Sequence, residues 1–447
     1  MKKWLMLKSL PIREISALEA LFFASIVLGP SAAYSKVYLF HVVLAALIFG
    51  SASAWTIIKL HAPSPLRWDA LFFVFFITWY GISIFWAQNK FLALQYCTYI
   101  VVGALTIYFT VTICRTLDRL RAALWIIVGM ISLELMLAAL EAAQLIRLPF
   151  SPYSPYRWIF GREPNSFNGL SQIQIDQILS MPTGFSANPN NISALLVLAF
   201  PVFLFAKRWW LAALGAAAIY YVIEAADARA AIIGYWAVLV LGAFFFVGYR
   251  LRILAIATLT ALMMVLMGSG PFAFLAATRY SEGLISGQAN GGDSVGIRTQ
   301  LIINGLTALR ETYGLGVGAG GSVTVQEVAG DKRIRNIRSM HNFWVELLVD
   351  GGILFATIFS VWSGSLIWRL WQIGRSRSKT TLRYLGRALC LGFLGFFFSA
   401  IGPSSVIYLL PMWMFIGLAL AVIQLDSEGH SISVSATTAP SLLGNPH

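Results

Sequence analysis

The sequence predicts an all-α, polytopic membrane protein, and composition, span length and the N-terminal segment support this. Of the 447 residues, 58% are hydrophobic and only 11% are charged, and the mean hydropathy is +0.74. Soluble domains carry about 25% charged residues. The first apolar run follows Lys2, Lys3, Lys8 and Arg13 and lacks a small-residue cleavage site. We therefore expect it to stay in the protein as an uncleaved first helix.

Twelve apolar runs are candidate membrane spans, each of roughly the 17–25 residues that a bilayer requires. They are 15–34, 37–58, 68–87, 91–113, 122–146, 190–206, 209–226, 229–248, 251–269, 341–370, 385–401 and 404–425. Residues 1–425 are thus expected to form one transmembrane domain. Its two long connecting segments are about 147–189 and 270–340. The Ser/Thr/Pro-rich tail 426–447 is expected to be disordered and cytoplasmic.

The basic residues predict the orientation of these spans. With the N-terminus in the cytoplasm, the inner segments hold most of the Lys and Arg residues. The short outer segments hold only Lys36, Lys90 and Arg229. This is the positive-inside asymmetry. It places both long segments, including the large loop between spans 9 and 10, on the outer side, and both termini in the cytoplasm.

Several classes of protein are disfavoured by the same composition. The formal charge of +13 faces mainly the inner membrane surface, which argues against a nucleic-acid partner. Cys97, Cys114 and Cys390 lie in or beside apolar runs without metal-ligand spacing, so neither a metal nor a disulfide is expected. A transporter is a real alternative because twelve spans are typical of one. However, no repeat relates the two halves, and polar residues do not cluster in mid-span.

The junction between the second long segment and the tenth span carries the strongest functional signal. His341, Asn342 and Glu346 stand where a polar stretch becomes a long apolar one. Ionisable groups that enter a membrane mark either function or a buried partner. His341 could deprotonate a hydroxyl, because its ordinary pKa lies near 6.5. It could equally steady the start of the helix.

Arginines on the outer side are candidates for binding an anion. Arg229 lies at the outer end of a span, where it could also reach the interface or pair with Asp227 or Glu224. Arg298 begins a short amphipathic segment to Arg310, in which Ile302, Leu306 and Leu309 share a face. That segment could lie in the interface plane.

A basic run leads into His341 and also calls for an external anion. It consists of Lys332, Arg333, Arg335 and Arg338. These charges break the positive-inside pattern, although an ordinary solvated loop near lipid headgroups would also accommodate them. The Gly-rich stretch 314–321 is interpreted as a tight, flexible turn, because no Lys-Ser/Thr follows it as in a phosphate loop.

Three segments resemble the O-antigen ligase and O-antigen polymerase superfamily of bacterial membrane glycosyltransferases. Residues 184–190 (GFSANPN) resemble its G-x-F-x-N-P-N segment, which includes Asn190. Residues 228–231 (ARAA) resemble its S-R-G/A-A segment, with Ala228 where Ser is usual. Residues 341–352 resemble its H-N-x-x-L-E-x-x-x-x-x-G signature.

The resemblance implies about twelve helices in the bacterial inner membrane, with an active site on the periplasmic face. It implies transfer of a glycan from undecaprenyl diphosphate to a sugar hydroxyl, without metal, nucleotide or other cofactor. Arg229, Arg298 and Arg338 would bind the diphosphate, with Arg279 and Arg310 as competitors for the loop position. His341 would act on the acceptor hydroxyl, supported by Asn342, Glu346 and Asn190.

Two acceptors remain open within this resemblance. A ligase would pass the glycan to lipid A–core, and a polymerase would pass it to a second lipid-linked glycan. Both activities would use the same donor and work among membrane lipids, and the sequence favours the ligase only slightly. A non-catalytic assembly protein is the third alternative beside the enzyme and the transporter.

Overall fold

Helices form almost all of the secondary structure in the part of the chain that the structure describes. This structure is a computed structural model. It describes residues 14–50, 64–163, 171–186, 188–267, 278, 281–282, 294–328, 339–376 and 379–438. One two-stranded antiparallel hairpin is also present, formed by β1 (Ala33–Tyr34) and β2 (Val37–Tyr38).

The helices follow one another as the apolar runs of the sequence predict. They are α1 (Ala17–Leu28), α2 (Leu39–Gly50), α3 (Arg67–Ser83), α4 (Lys90–Ile113), α5 (Leu117–Ala142), α6 (Gln172–Ser180), α7 (Pro189–Leu204), α8 (Trp209–Ala225), α9 (Arg229–Phe245), α10 (Arg250–Leu266), α11 (Ser294–Glu311), α12 (Gly321–Val328), α13 (Phe343–Arg375), α14 (Thr380–Ser399) and α15 (Leu410–Thr438). Each of the twelve predicted spans contains one of them, and α6, α11 and α12 belong to the two long connecting segments.

The all-α, polytopic membrane fold is thereby confirmed. Six segments are long and apolar enough to cross a bilayer: Lys90–Ile113, Leu117–Ala142, Val247–Leu266, Phe343–Arg375, Thr380–Ser399 and Leu410–Gly429. Shorter apolar helices, including α1, α2, α7, α8 and α9, fill most of the other predicted spans.

Polar caps fix several helix starts. Ser16 and Glu19 form a reciprocal capping box at α1, and Asn89 and Thr116 cap α4 and α5.

Helix α14 lies at the centre of the bundle and packs against α7, α9 and α13. Glycines permit this close approach. A Cβ added at Gly234 of α9 would lie 2.5 Å from the carbonyl oxygen of Gly395 in α14. Small residues at helix contacts are how membrane helices bring their backbones together. Because α7 and α9 run antiparallel to α14, the starts of α7, α9 and α13 and the end of α14 share one end of the bundle. We call it the His341 end.

A buried ion pair ties α3 to α13 near the opposite end. Asp69 of α3 is almost fully buried, and its carboxylate accepts hydrogen bonds of 2.6 and 2.9 Å from the guanidinium of Arg369. The indole N–H of Trp362 donates a third bond of 3.0 Å. Removing one member of such a pair would leave a buried charge uncompensated. The interaction therefore fixes how α13 lies against α3.

Helix α13 is interrupted near the His341 end, which the sequence does not predict. Gly352 has φ 81° and ψ 175°, so the helix breaks between its first nine residues and the remainder. The turn formed by residues 314–320 packs into this break. The N–H groups of Val317 and Gly318 donate to the carbonyls of Val349 and Asp350 at 2.8 and 3.1 Å. The Gly-rich stretch is a turn, as expected, and these bonds hold it in place.

Helix α15 continues to Thr438, beyond the end of the predicted span 404–425. Its one proline, Pro411, lies in the first turn, and Gln424 donates a 2.9 Å bond to Glu428 one turn later. The disorder and the cytoplasmic side of the tail 426–447 stay predictions. In α11 the side chain of Leu306 is 41% exposed, whereas Leu301, Ile302 and Leu309 are buried. This helix packs against α13 through that buried face.

Candidate functional site

His341 is held in a strained backbone conformation just before α13 begins. Its φ is 47°, in the left-handed region. Non-glycine residues rarely adopt this region, although His, Asn and Asp tolerate it best. Such strain stores about 1–3 kcal/mol and persists only where the surroundings fix it. The surroundings here are the connection between α14 and α15.

The ring of His341 makes one hydrogen bond that defines its chemistry. Nδ1 lies 3.4 Å from the carbonyl oxygen of Gly402. A carbonyl can only accept, so Nδ1 carries the proton when this bond forms. In the neutral ring the lone pair then lies on Nε2. The bond to Gly402 therefore selects the tautomer in which Nε2 can accept a proton from a ligand.

The imidazole is neutral at ordinary pH because it is buried and lies near a positive charge. Burial, together with a smaller effect of the positive charge of Arg298, lowers the pKa of His341 to about 4, against the opposing effect of the hydrogen bond to Gly402. Arg298 lies on α11, in the second long segment, and the sequence alone does not show that it approaches His341. Two of the predicted site residues are therefore close enough to interact electrostatically.

Asn342 caps the helix that follows. Its side-chain oxygen accepts from the N–H groups of Trp344 and Val345 at 3.1 and 3.3 Å. The next N–H, from Phe343, donates to the carbonyl of Ala400 at 3.2 Å. Side-chain caps satisfy donors that a helix start leaves unpaired. Asn342 thus supports the site by anchoring the start of α13 beside the end of α14.

Glu346 lies one turn into α13 and is buried. Its carboxylate accepts a 2.7 Å hydrogen bond from the hydroxyl of Ser405. Tyr96 of α4 also faces this carboxylate. Ser405 belongs to the same connection as Gly402, so Glu346 and His341 hold that connection at two points. This is a supporting contact, and it does not place Glu346 at the surface of the site.

Asn190 reaches the same connection from α7. A Cβ added at Gly402 would lie 3.3 Å from the side-chain oxygen of Asn190, so the two residues are in close contact. Two carboxylates of α5 hold residues 183–186 in place by hydrogen bonds. The carboxylate of Glu141 accepts from the N–H groups of Thr183 and Gly184 at 2.9 and 2.8 Å, and Glu134 accepts from Ser186 at 3.1 Å.

Arg229 is the first residue of α9 and lies at the His341 end. Its guanidinium pairs with Asp227 at 3.3 Å, and both side chains are exposed. Exposed pairs of this kind contribute about 0–1 kcal/mol to stability. The hydrogen bonds of the described residues do not join Arg229 to His341. The predicted donor-binding residue Arg338 and the basic run before it lie outside the described residues, as does Arg279.

Sequence reasoning missed Gly402 and Ser405. Gly402 lies between the predicted spans 385–401 and 404–425, and Ser405 falls inside the second of these spans. Two consecutive serines between apolar runs were the available signal, because polar side chains at membrane depth need partners. Their pairing with His341 and Glu346 depends on the packing of α13 against α14.

Taken together, the site presents a neutral imidazole, with Nε2 as its proton-accepting nitrogen, within electrostatic range of the guanidinium of Arg298. Such a pair can accept a proton from one group while stabilising negative charge on another. Its position at the end of an apolar bundle suits a substrate with one part in lipid and one part in water.

No family model matches the chain. The chain is similar to the teichuronic acid biosynthesis protein TuaE of Bacillus subtilis (strain 168). The two are 24% identical over 397 residues, which cover 84% of this chain and 76% of the relative. We conclude that this multi-pass membrane protein is similar to a protein that is named for teichuronic acid biosynthesis.

Proposed function

We propose that the protein is a glycosyltransferase that moves a glycan from undecaprenyl diphosphate to a sugar hydroxyl at the periplasmic face of the bacterial inner membrane. The observation that carries this proposal is the arrangement of His341, Gly402 and Arg298. The carbonyl of Gly402 leaves Nε2 of the imidazole as the acceptor. Burial and Arg298 keep the ring neutral. The similarity to a protein of teichuronic acid biosynthesis supports a glycan as the substrate.

The proposed reaction needs only these groups. The acceptor hydroxyl oxygen attacks the anomeric carbon of the donor, and the bond from that carbon to the diphosphate oxygen breaks. The electron pair leaves with undecaprenyl diphosphate, and the hydroxyl proton passes to Nε2 of His341. Arg298, which acts electrostatically on His341, is one candidate to stabilise the charge that develops on the leaving group, and Arg229 and Arg338 are the others.

A low pKa for His341 in the free protein is compatible with a role as base. A bound diphosphate would bring negative charge next to Arg298 and His341. This charge offsets that of Arg298 and favours the protonated imidazole, so the pKa rises when the donor binds. The imidazole is thus expected to be a stronger proton acceptor in the complex than in the free protein.

Two acceptors are compatible with the site: lipid A–core for a ligase and a second lipid-linked glycan for a polymerase. The relative is named for teichuronic acid biosynthesis, and that name fits either reaction. The same donor chemistry serves both reactions.

The deciding experiment uses the purified protein in liposomes with an undecaprenyl-diphosphate oligosaccharide, without ATP or an ion gradient. One reaction receives lipid A–core and the other only more donor. Product in the first reaction alone indicates a ligase, and product in the second indicates a polymerase. Release of no undecaprenyl diphosphate in either reaction, from folded protein, would contradict the proposal and favour the transporter.

His341→Ala should fold and insert normally but lose transfer by about 10²–10⁴-fold, as expected for a positioned proton acceptor. His41→Ala is the matched control, because His41 is an exposed histidine that begins α2 at the same end of the bundle. Transfer at the wild-type rate by His341→Ala would remove His341 from the mechanism.

A further inference from the structure

A cleft of about 610 Å³ is lined by α11 and by the turn that packs into the break of α13. Its walls come from three places in the chain. Trp86 and Gln88 come from the connection between α3 and α4, and the polar face of α11 supplies a second wall. The turn 314–320 and α12 complete it. The volume is within the range of about 300–1,000 Å³ that is typical of ligand sites.

Helix α11 contributes to both this cleft and the proposed active site. Arg298, Ile302, Gly305 and Leu309 follow one face, which turns toward α13 and His341. A second face, at i, i+3, i+4 and i+7, faces the cleft. It consists of Asn304, Thr307, Ala308 and Glu311. At 1.5 Å per residue, this second face begins about 9 Å and ends about 20 Å along the helix from Arg298.

The walls combine aliphatic side chains with an aromatic ring and polar groups that suit a sugar. The indole N–H of Trp86 donates to the carbonyl of Gly316 at 3.2 Å, which holds the ring in one orientation against the turn. Fixed aromatic rings are good surfaces for the apolar faces of sugar rings. Gln88 and Thr307 are exposed and offer amide and hydroxyl groups to sugar hydroxyls.

We propose that this cleft binds a segment of the glycan chain, and that the segment it takes consists of uncharged sugar residues. Glu311 is an exposed carboxylate in the wall, and no basic side chain is among the lining residues that the structure describes. A uronic acid would face a like charge there, whereas neutral sugars would gain a strong hydrogen-bond acceptor. This inference rests on the proposed function, since the cleft would hold the chain whose end reacts at His341.

The test uses the full-length protein in nanodiscs and lipid-free tetrasaccharides as probes, with binding followed by calorimetry. Maltotetraose and N-acetylchitotetraose are the uncharged probes, and tetragalacturonic acid is the charged one. At least one uncharged probe should bind wild type more tightly than the charged probe does. Failure of both uncharged probes to bind, or equal binding of the charged probe, would overturn the proposal.

Variants of the cleft give the second readout. Trp86→Ala and Gln88→Ala should each weaken binding of the uncharged probe by about fivefold or more, the size of one or two lost contacts. Gln88 is exposed, so its variant tests the cleft even if Trp86→Ala disturbs the turn. Trp125→Ala, an exposed Trp on α5, is the matched control and should bind as wild type. Unchanged binding by both cleft variants would place the probe elsewhere.

Two further variants separate this inference from the proposed transfer reaction. Glu311→Gln should leave the affinity for the uncharged probe unchanged. It should raise the affinity for the charged probe toward the same value. His341→Ala should bind the uncharged probe as wild type does, because no bond is made or broken in this assay. If binding fails while transfer depends on His341, only the cleft assignment is lost. If binding follows these rules while His341→Ala still transfers, only the catalytic assignment is lost.

Discussion

The hydroxyl of Ser405 donates a 2.7 Å hydrogen bond to the carboxylate of Glu346, across 59 residues of the chain. This bond joins the first turn of α13 to the connection that carries Gly402. The same connection also accepts a hydrogen bond from Phe343 and contacts His341. The position of the catalytic candidate therefore depends on a contact between two buried polar side chains.

Ser405→Ala should destabilise the protein by about 1–3 kcal/mol, because it removes a donor from a buried carboxylate. The expected result is a lower melting temperature in detergent, together with slower glycan transfer. Ser399→Ala is the control. Its hydroxyl only bonds back to Phe396 within α14, at 3.4 Å, so we expect a change of about 0.5 kcal/mol or less. Equal effects of the two variants would show that the contact with Glu346 is unimportant.

Stability should fall in acid because of His341. Its pKa is about 4 in the folded protein and near 6.5 in the unfolded chain, so the unfolded chain takes up the proton first as the pH falls. The stabilisation is therefore complete above pH 6.5 and is lost as the pH falls toward 4, by about 3 kcal/mol in total. Thermal unfolding of wild type and His341→Gln at a series of pH values measures it.

Arg298→Ala provides the internal check on this pH dependence. The charge of Arg298 helps to lower the pKa of His341, so its removal should raise that pKa and reduce the loss of stability in acid. Arg310→Ala, at the other end of α11, should leave the pH dependence unchanged. If His341→Gln shows the same loss between pH 6.5 and 4 as wild type, another group is responsible.

Arg229→Ala should slow transfer by about 10²–10³-fold if Arg229 binds the diphosphate, by analogy with the loss of one donor to a developing anion. Arg121 is the better-matched control at the opposite end, since it pairs with Asp118 at 2.9 Å in an exposed ion pair. Arg119 is less suitable because it also bonds to the backbone at Ile113 and Glu14. Similar transfer rates for the Arg229 and Arg121 variants would indicate that Arg229 has no role beyond its ion pair with Asp227.

The sequence allows the helices to be predicted well because their signal is local. Twelve apolar runs each contain a helix, and Asn89, Thr116 and Asn342 show where three of them begin. The hairpin β1–β2 was missed because its strands are only two residues long. The break at Gly352 was missed because it lies inside a continuous apolar run, and its partner is a turn about 35 residues earlier in the chain.

The site could be predicted only in part, for a related reason. His341, Asn342 and Glu346 share one stretch of sequence, and a polar cluster at a membrane junction is recognisable. Gly402 acts through its backbone carbonyl, which no side-chain pattern reveals. The approach of Arg298 to His341 follows from the packing of Gly305 against Met340 and Val349, where a side chain on residue 305 would clash.

Gly316→Ala should destabilise the protein by more than the roughly 1–3 kcal/mol that backbone strain alone costs. Its φ is +93°, and a Cβ there would lie 2.5 Å from the backbone nitrogen of Gly352. Gly364→Ala, farther along α13, meets no atom within 4 Å and should be neutral or stabilising by about 0.5–1 kcal/mol. Unfolding of both variants in detergent makes the comparison. A tolerated Gly316→Ala would contradict the tight fit of the turn into the break.

The break in α13 also imposes an order of assembly on the chain. At Gly352 the carbonyls of Val349 and Asp350 lose helical partners and are satisfied instead by the N–H groups of Val317 and Gly318. In hydrocarbon, unpaired backbone groups are tolerated only where protein supplies a partner. Those partners lie earlier in the chain, in the segment before α13. During folding α13 therefore reaches its final shape only after residues 314–320 have docked against it, so placement of this turn precedes completion of the helix that carries Glu346.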